Sequence, residues 1–230
     1  ITPDMRFLEK MAVLAELEKQ VPELSKRSFE PEDAEAEYGV HPRLNCPDLE
    51  TAKEMNRRII EIRDEGDSSG GVVEIVATGV PAGMGEPVFR KLEGELGRMM
   101  SIGTVKAVEN GAGMRVKDMR GSEFNDQMRV EDDEVKFLSN NAGGITGGVT
   151  NGQPVVARLA VKPTPTIAKP QKTIDKVSLE NRDLEAITRR DPTIVARIWP
   201  VAEAFTALIL LDHYAMHLGY RELAGFDTKG

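Results

Sequence analysis

Residues 139–167, SNNAGGITGGVTNGQPVVARLAVKPTPTI, gather the groups that could hold a phosphorylated or anionic planar ligand. Two glycine pairs, Gly143-Gly144 and Gly147-Gly148, let backbone approach a ligand closely and aim amide hydrogens at it. The run ends in Lys162-Pro163-Thr164-Pro165-Thr166. Two prolines fix φ and leave a stiff, extended segment. Its ammonium and two hydroxyls then have fixed directions, which a phosphate or a ring edge requires of its donors. The plainer alternative is a strand exit with a solvated lysine. Two shorter clusters stand beside it. Arg189-Arg190-Asp191-Pro192 has the composition of a surface ion pair, which is worth little. Gly103-Thr104, inside Ser101-Ile102-Gly103-Thr104-Val105-Lys106, has the composition of a helix-to-strand turn.

The elements that must position these groups follow from periodicity. Thr2 as N-cap and Pro3 at the first helical position open an amphipathic helix over residues 3–20. Residues 25–46 are polar and acidic, a loop or short helix whose charges form a solvated face. A second helix is expected over 47–64 and a third over 86–100. The cluster 66–71, Gly-Asp-Ser-Ser-Gly-Gly, breaks the pattern. Strands are expected over 72–80 and 104–109; residues 114–128 are ambiguous between strand and short helix. Two further strands, 144–150 and 154–162, flank Asn151-Gly152, a strong hairpin signal. Residues 200–218 are apolar nearly all round and predict a buried core helix. Hairpins mixed with long helices indicate an α+β layered fold rather than a doubly wound parallel sheet. No internal repeat is visible, and residues 1–230 read as a single domain.

Composition narrows the function. A net charge of −8 argues against nucleic acid as the main partner, because phosphate binding needs a basic surface. A single cysteine, Cys46, allows no intrachain disulfide and fits a reducing cytoplasm. No apolar run reaches the ~20 residues of a membrane span; the nearest, 202–218, is interrupted by Glu203, Asp212 and His213. His213 and His217 have a spacing that can bind zinc, but no Glu or Cys completes a ligand set, so no metal site is expected.

The glycine-rich run followed by KPTPTI, GVPAGMGEPVF at 79–89, GSEFND at 121–126 and TRRDPTIVARIWPVAEAF at 188–205 occur in one order. Together they resemble the chorismate synthase family, over about residues 66–219 and more weakly before. The resemblance implies long helices sandwiched between antiparallel sheets. It implies a chain that is the C-terminal part of such an enzyme and lacks roughly its first third. The family's Gly-Glu-Ser-His-Gly motif, a second histidine segment and a cluster of arginines do not occur here. The implied reaction is a lyase step of the shikimate pathway, converting 5-enolpyruvylshikimate 3-phosphate to chorismate with reduced flavin mononucleotide (FMN). In the family, Lys162, Pro163, Thr164, Pro165 and Thr166 match a segment that contacts FMN, and Gly147 matches another contact position. Arg189 and Asp191 match the family's Arg-His-Asp-Pro: the arginine faces flavin and substrate, and the aspartate lies by the ring and is the catalytic candidate. Arg190 replaces the histidine. Gly103 and Thr104 stand where many members have Asn-Ala touching the flavin; a backbone contact would survive that change. The resemblance also implies a homotetramer associated with NADP; the cytoplasmic location and the lack of a nucleic-acid or membrane partner rest on the cysteine count, the charge and the apolar runs above. It leaves open whether the flavin is reduced by the protein or externally. The alternative is a non-catalytic folded fragment or oligomerisation module of that enzyme.

Overall fold

In the computed structural model, residues 44–86, 88–184 and 191–223 are described, with side chains to residue 220. The helix expected over 3–20, most of the acidic run, and Arg189 and Arg190 lie outside them. The described helices are α1 (Leu49–Asp64), α2 (Leu92–Gly97), α3 (Gly121–Phe124) and α4 (Val195–Leu223). The strands are β1 (Gly71–Ala77), β2 (Val105–Asn110), β3 (Met128–Glu131), β4 (Glu134–Phe137), β5 (Ile145–Thr146), β6 (Val149–Thr150), β7 (Val155–Val161), β8 (Gln171–Ile174) and β9 (Asn181–Leu184). Helices combined with small antiparallel pairings make the architecture α+β. The chain divides into two compact units, one of residues up to 71 with 162–197, the other of 72–161 and from 198 onward.

In the first unit, Asp48 fixes the start of α1. Its carboxylate accepts from the Thr51 amide at 2.7 Å, the usual N-cap bond, and that bond holds its carboxyl below the ordinary carboxylate range. The helix ends at Gly66, whose φ of +72° is left-handed. A Cβ there would meet the Ala168 Cβ at 2.7 Å, so glycine also allows the later segment to close in. The β8–β9 hairpin completes this unit.

In the second unit, the central sheet has the order β1-β7-β2, with β2 and β7 antiparallel. Strand β7 alternates strictly: Val155, Ala157, Leu159 and Val161 are buried and the residues between are not. With Leu92, Leu96, Met99 and Val105 they form the core. Helix α4 adds a stripe of Ile198, Ala202, Thr206, Ile209 and His213 at helical spacing.

Three expectations need correction. The helix expected over 86–100 is only α2 with a 3₁₀ turn, Arg98–Ser101. The Leu92 amide is claimed by Gly148 O at 3.0 Å, so helical bonding begins there. The Asn151-Gly152 hairpin does not form. Strand β5 pairs with β6 across Gly147-Gly148, whose φ values of +67° and +100° suit a two-residue hairpin loop. Asn151 Oδ1 instead accepts from the Gln153 amide at 3.0 Å, and β7 joins β1 and β2. The helix expected to be buried all round is buried on one stripe; Val201, Leu208, Leu211 and Tyr214 are exposed. The ambiguous 114–128 resolves into a 3₁₀ turn, Gly113–Asp118, and α3. The β3–β4 and β8–β9 hairpins were not anticipated.

His213 is 1% exposed and neither ring nitrogen has a hydrogen-bond partner. Burial, then Arg90, lower its pKa from the ordinary 6.5; Glu95, Asp212 and Glu86 oppose this. An unfolded imidazole takes up a proton below about 6.5 while the folded one resists it. The stability contributed by the neutral ring is therefore complete above that pH and is lost as pH falls toward the depressed folded value. His213→Leu should flatten the fall in stability as pH drops below about 6.5. It should also raise stability by about 1–2 kcal/mol at pH 7, by removing two unsatisfied buried nitrogens. Urea unfolding at several pH values measures both.

Candidate functional site

The Lys162–Thr166 segment lies in the first unit and is held at two of its carbonyls. Ser68 Oγ donates to Thr164 O at 2.7 Å, and Gln171 Nε2 donates to Pro165 O at 3.1 Å. Just beyond, the Ala168 amide donates to Gly66 O at 2.7 Å and Lys169 Nζ donates to Asp67 Oδ2 at 2.8 Å. The Lys169 ammonium, then the Ser68 amide, hold the Asp67 carboxyl below its ordinary range.

This bonding uses the segment's carbonyls and leaves side-chain donors over. Thr164 Oγ1 is buried and has no partner. Lys162 is half-buried and forms no ion pair among the described residues. Thr166 is exposed. Buried polar groups are normally satisfied, so the orphan Thr164 hydroxyl needs a cause.

Asp191 lies in the same unit. Its carboxylate meets Arg197 in two parallel contacts of 3.0 Å each, Nη2 to Oδ1 and Nη1 to Oδ2. Its described cation partner is thus Arg197, a residue that sequence reasoning did not single out. The neighbouring Pro192 O accepts from the Ser69 amide at 2.8 Å. Adjacent serines therefore tie down both stretches, Ser68 at Thr164 and Ser69 at Pro192. The only sequence signal was the cluster 66–71, which reads as a helix breaker.

Gly147, Gly103 and Thr104 lie in the second unit. Three of the four paired glycines serve the fold. A Cβ at Gly143 would strike the Gly111 backbone, one at Gly144 the Pro154 carbonyl, and one at Gly148 the Lys91 side chain. Only at Gly147 would it meet nothing within 4 Å. The motif's polar side chains are likewise occupied. Asp126 accepts from Ser139 Oγ and the Asn141 amide, both at 2.6 Å, and from the Ala142 amide at 2.9 Å. Asn140 bridges the Gly144 amide and Pro154 O, and Gln153 Nε2 donates to Ser139 O.

Gly103 is exposed with open space beside it. Thr104 has φ +78°, an outlier for a β-branched residue, and its hydroxyl is buried and unpartnered. Thr104→Gly should relieve the left-handed strain of about 1–2 kcal/mol, less a glycine entropy cost of about 0.5–1 kcal/mol. The expected result is a melting temperature unchanged or up to about 6 °C higher. A fall of several degrees would show that the threonine is held by contacts that repay its strain.

Among the described residues of the first unit, the donors left over are the Lys162 ammonium and the buried Thr164 hydroxyl; the second unit separately leaves the buried Thr104 hydroxyl and open space at Gly147. A planar ligand with phosphate and carbonyl acceptors fits that chemistry.

A sequence profile described as "Chorismate synthase" matches residues 7–215. The chain is 50% identical over 196 residues to chorismate synthase of Acetivibrio thermocellus, covering 84% of this chain and 50% of that protein. It is 53% identical over 171 residues to chorismate synthase of Methanocaldococcus jannaschii, covering 74% and 45%. A crystal structure of chorismate synthase superposes with a TM-score of 0.60 at 32% identity, covering 76% of this chain and 46% of that one. The chain spans about half the length of the curated relatives it matches.

Proposed function

This chain belongs to the chorismate synthase family, and from that membership we propose that it forms the FMN-holding part of an enzyme making chorismate from 5-enolpyruvylshikimate 3-phosphate. In the net reaction the C–O bond to phosphate breaks and phosphate leaves with the electron pair. A ring C–H bond also breaks; its electrons become the new double bond and its hydrogen leaves as a proton. Reduced FMN, when bound, supplies transient electron density that helps phosphate depart from an allylic carbon, with no net redox change.

The chain's own residues bind, orient and move a proton. Lys162 neutralises ligand negative charge, and the Thr164 and Thr166 hydroxyls donate from a segment that cannot swing away. Gly147 and Gly103 let backbone approach, and Thr104 offers a hydroxyl with no other partner. Arg189, in this reading, faces flavin and substrate. Asp191 takes up or returns a proton at a carboxylate oxygen. The homotetramer, the cytoplasm and NADP-linked supply of reducing equivalents belong to the same proposal. The exposed apolar face of α4 supports assembly.

The observation that carries this reading is the buried, unpartnered Thr164 hydroxyl on the same segment as Lys162, which forms no ion pair among the described residues. Titration of the chain with FMN, followed by flavin fluorescence, tests it. Lys162→Ala and Thr164→Val should each weaken binding at least tenfold, while Lys172→Ala on exposed β8 should not. Equal affinities in all three would overturn it. The second reading, a non-catalytic fragment or oligomerisation module, is favoured by the half-length match. Under it, the chain with reduced FMN and substrate makes no detectable chorismate. Turnover near that of a full-length relative would exclude that reading.

A further inference from the structure

The β3–β4 hairpin is two-faced. Its register pairs Met128 with Phe137 and Val130 with Val135 on one face, and Arg129 with Lys136 and Glu131 with Glu134 on the other. The second face thus sets like charges directly opposite each other, which is unfavourable within a sheet. Strand β3 relieves its own charges, since Arg129 Nη2 lies 2.6 Å from Glu131 Oε1. Strand β4 does not. Glu134, Val135 and Lys136 are all exposed, and neither charge has an ion-pair partner among the described residues. The sheet has two strands, so the outer edge of β4 is unpaired among the described strands.

We propose that β4 pairs antiparallel with β4 of a second copy of this chain, about a two-fold axis at Val135. The proposal rests on the reading of the chain as a homo-oligomer and names the surface. In that register Glu134 lies opposite Lys136 of the second copy, and Lys136 opposite its Glu134. Both unpaired charges are matched twice, as an isologous contact requires. The two Val135 side chains become direct neighbours on the apolar face. Other registers are disfavoured. A two-residue slip sets Glu134 against Glu134 or Lys136 against Lys136, and a parallel pairing in register does both. A charged edge residue ordinarily guards a strand against indiscriminate pairing; the Glu-Val-Lys order turns the guard into a selector. The overlap is short, so this contact adds to an assembly in which the α4 face also takes part.

The test is a charge swap on the whole chain, read as the self-association constant by sedimentation. Glu134→Lys leaves only lysines along the pairing line, and Lys136→Glu leaves only glutamates. Each should weaken self-association at least tenfold. The double variant E134K/K136E has the original composition and a self-complementary pattern, so it should recover wild-type association. An equimolar mixture of the two single variants should form mixed dimers that neither forms alone. Because all these side chains are exposed, far-UV circular dichroism should be unchanged. Single variants that associate like wild type, or a double variant that does not recover, would overturn the β4 contact while leaving the homo-oligomer reading intact. A wild-type chain monomeric throughout would overturn both.

Discussion

Asp126→Ala should cost about 3 kcal/mol of unfolding free energy, on the scale of three hydrogen bonds to a charged acceptor discounted for partial exposure. The carboxylate accepts from Ser139 Oγ and from the Asn141 and Ala142 amides, all part-buried. Alanine leaves three donors without an acceptor at the entrance to the glycine-rich loop. The damage should spread. Asn141 also donates to the Glu123 and Phe124 carbonyls, and the Gly143 backbone packs against Gly111. Asp126→Asn keeps one acceptor oxygen and should lose about half as much. Urea unfolding of the two variants measures the series. A loss below about 1 kcal/mol for alanine would mean that water replaces the carboxylate without strain.

Asp191→Asn should behave in the opposite way, harming chemistry and sparing stability. The Asp191–Arg197 pair is exposed, with side-chain accessibilities of 42% and 64%. Exposed pairs are worth about 0–1 kcal/mol, so thermal stability should hardly move. If Asp191 moves a proton, turnover in an active chorismate synthase carrying this segment should fall about 10²-fold or more. FMN affinity should change by less than tenfold, about 1.4 kcal/mol. If Asp191 only orders Arg197, the pattern reverses: FMN affinity drops and turnover at saturating flavin stays normal. Both quantities measured on one variant decide between these roles.

The α+β class and α1, β1, β2 and β7 were legible because each has a clear period and strong punctuation. Helix α1 runs from an Asp N-cap to a glycine stop, and β7 alternates apolar and polar positions without a break. Errors fell where two local signals competed. Asn-Gly and Gly-Gly are both hairpin loops, and only the partner strand selects between them; β7 was already claimed by β1 and β2. The start of α2 was misread because the Leu92 amide bonds a carbonyl distant in sequence, which no local pattern records. The hairpin β3–β4 was missed because its turn is Asp132-Asp133, with φ of +53° and +62°, rather than a pair containing glycine.

The candidate site was legible as a set of residue types and not as a bonding scheme. Lys162 to Thr166 stood out because prolines interleaved with donors are unusual. Ser68, Ser69 and Arg197 did not, because a serine pair or a lone arginine carries no spacing of its own. Nor could sequence separate glycines that face a ligand from glycines that face their own backbone; that distinction needs the neighbours.

Gly147 and its companions demand glycine for different reasons, and chirality separates them. At Gly147 the demand is handedness: φ is +67°, and an L-residue's Cβ would meet nothing within 4 Å. A mirror-image residue is at ease at that angle, so D-alanine introduced by chemical ligation would escape the backbone strain that L-alanine meets. Gly143 and Gly148 have neighbours on the side where an L-residue's Cβ would stand, and there the demand includes bulk. The loop thus separates two demands for glycine, one of backbone handedness at Gly147 and one of bulk at Gly143 and Gly148.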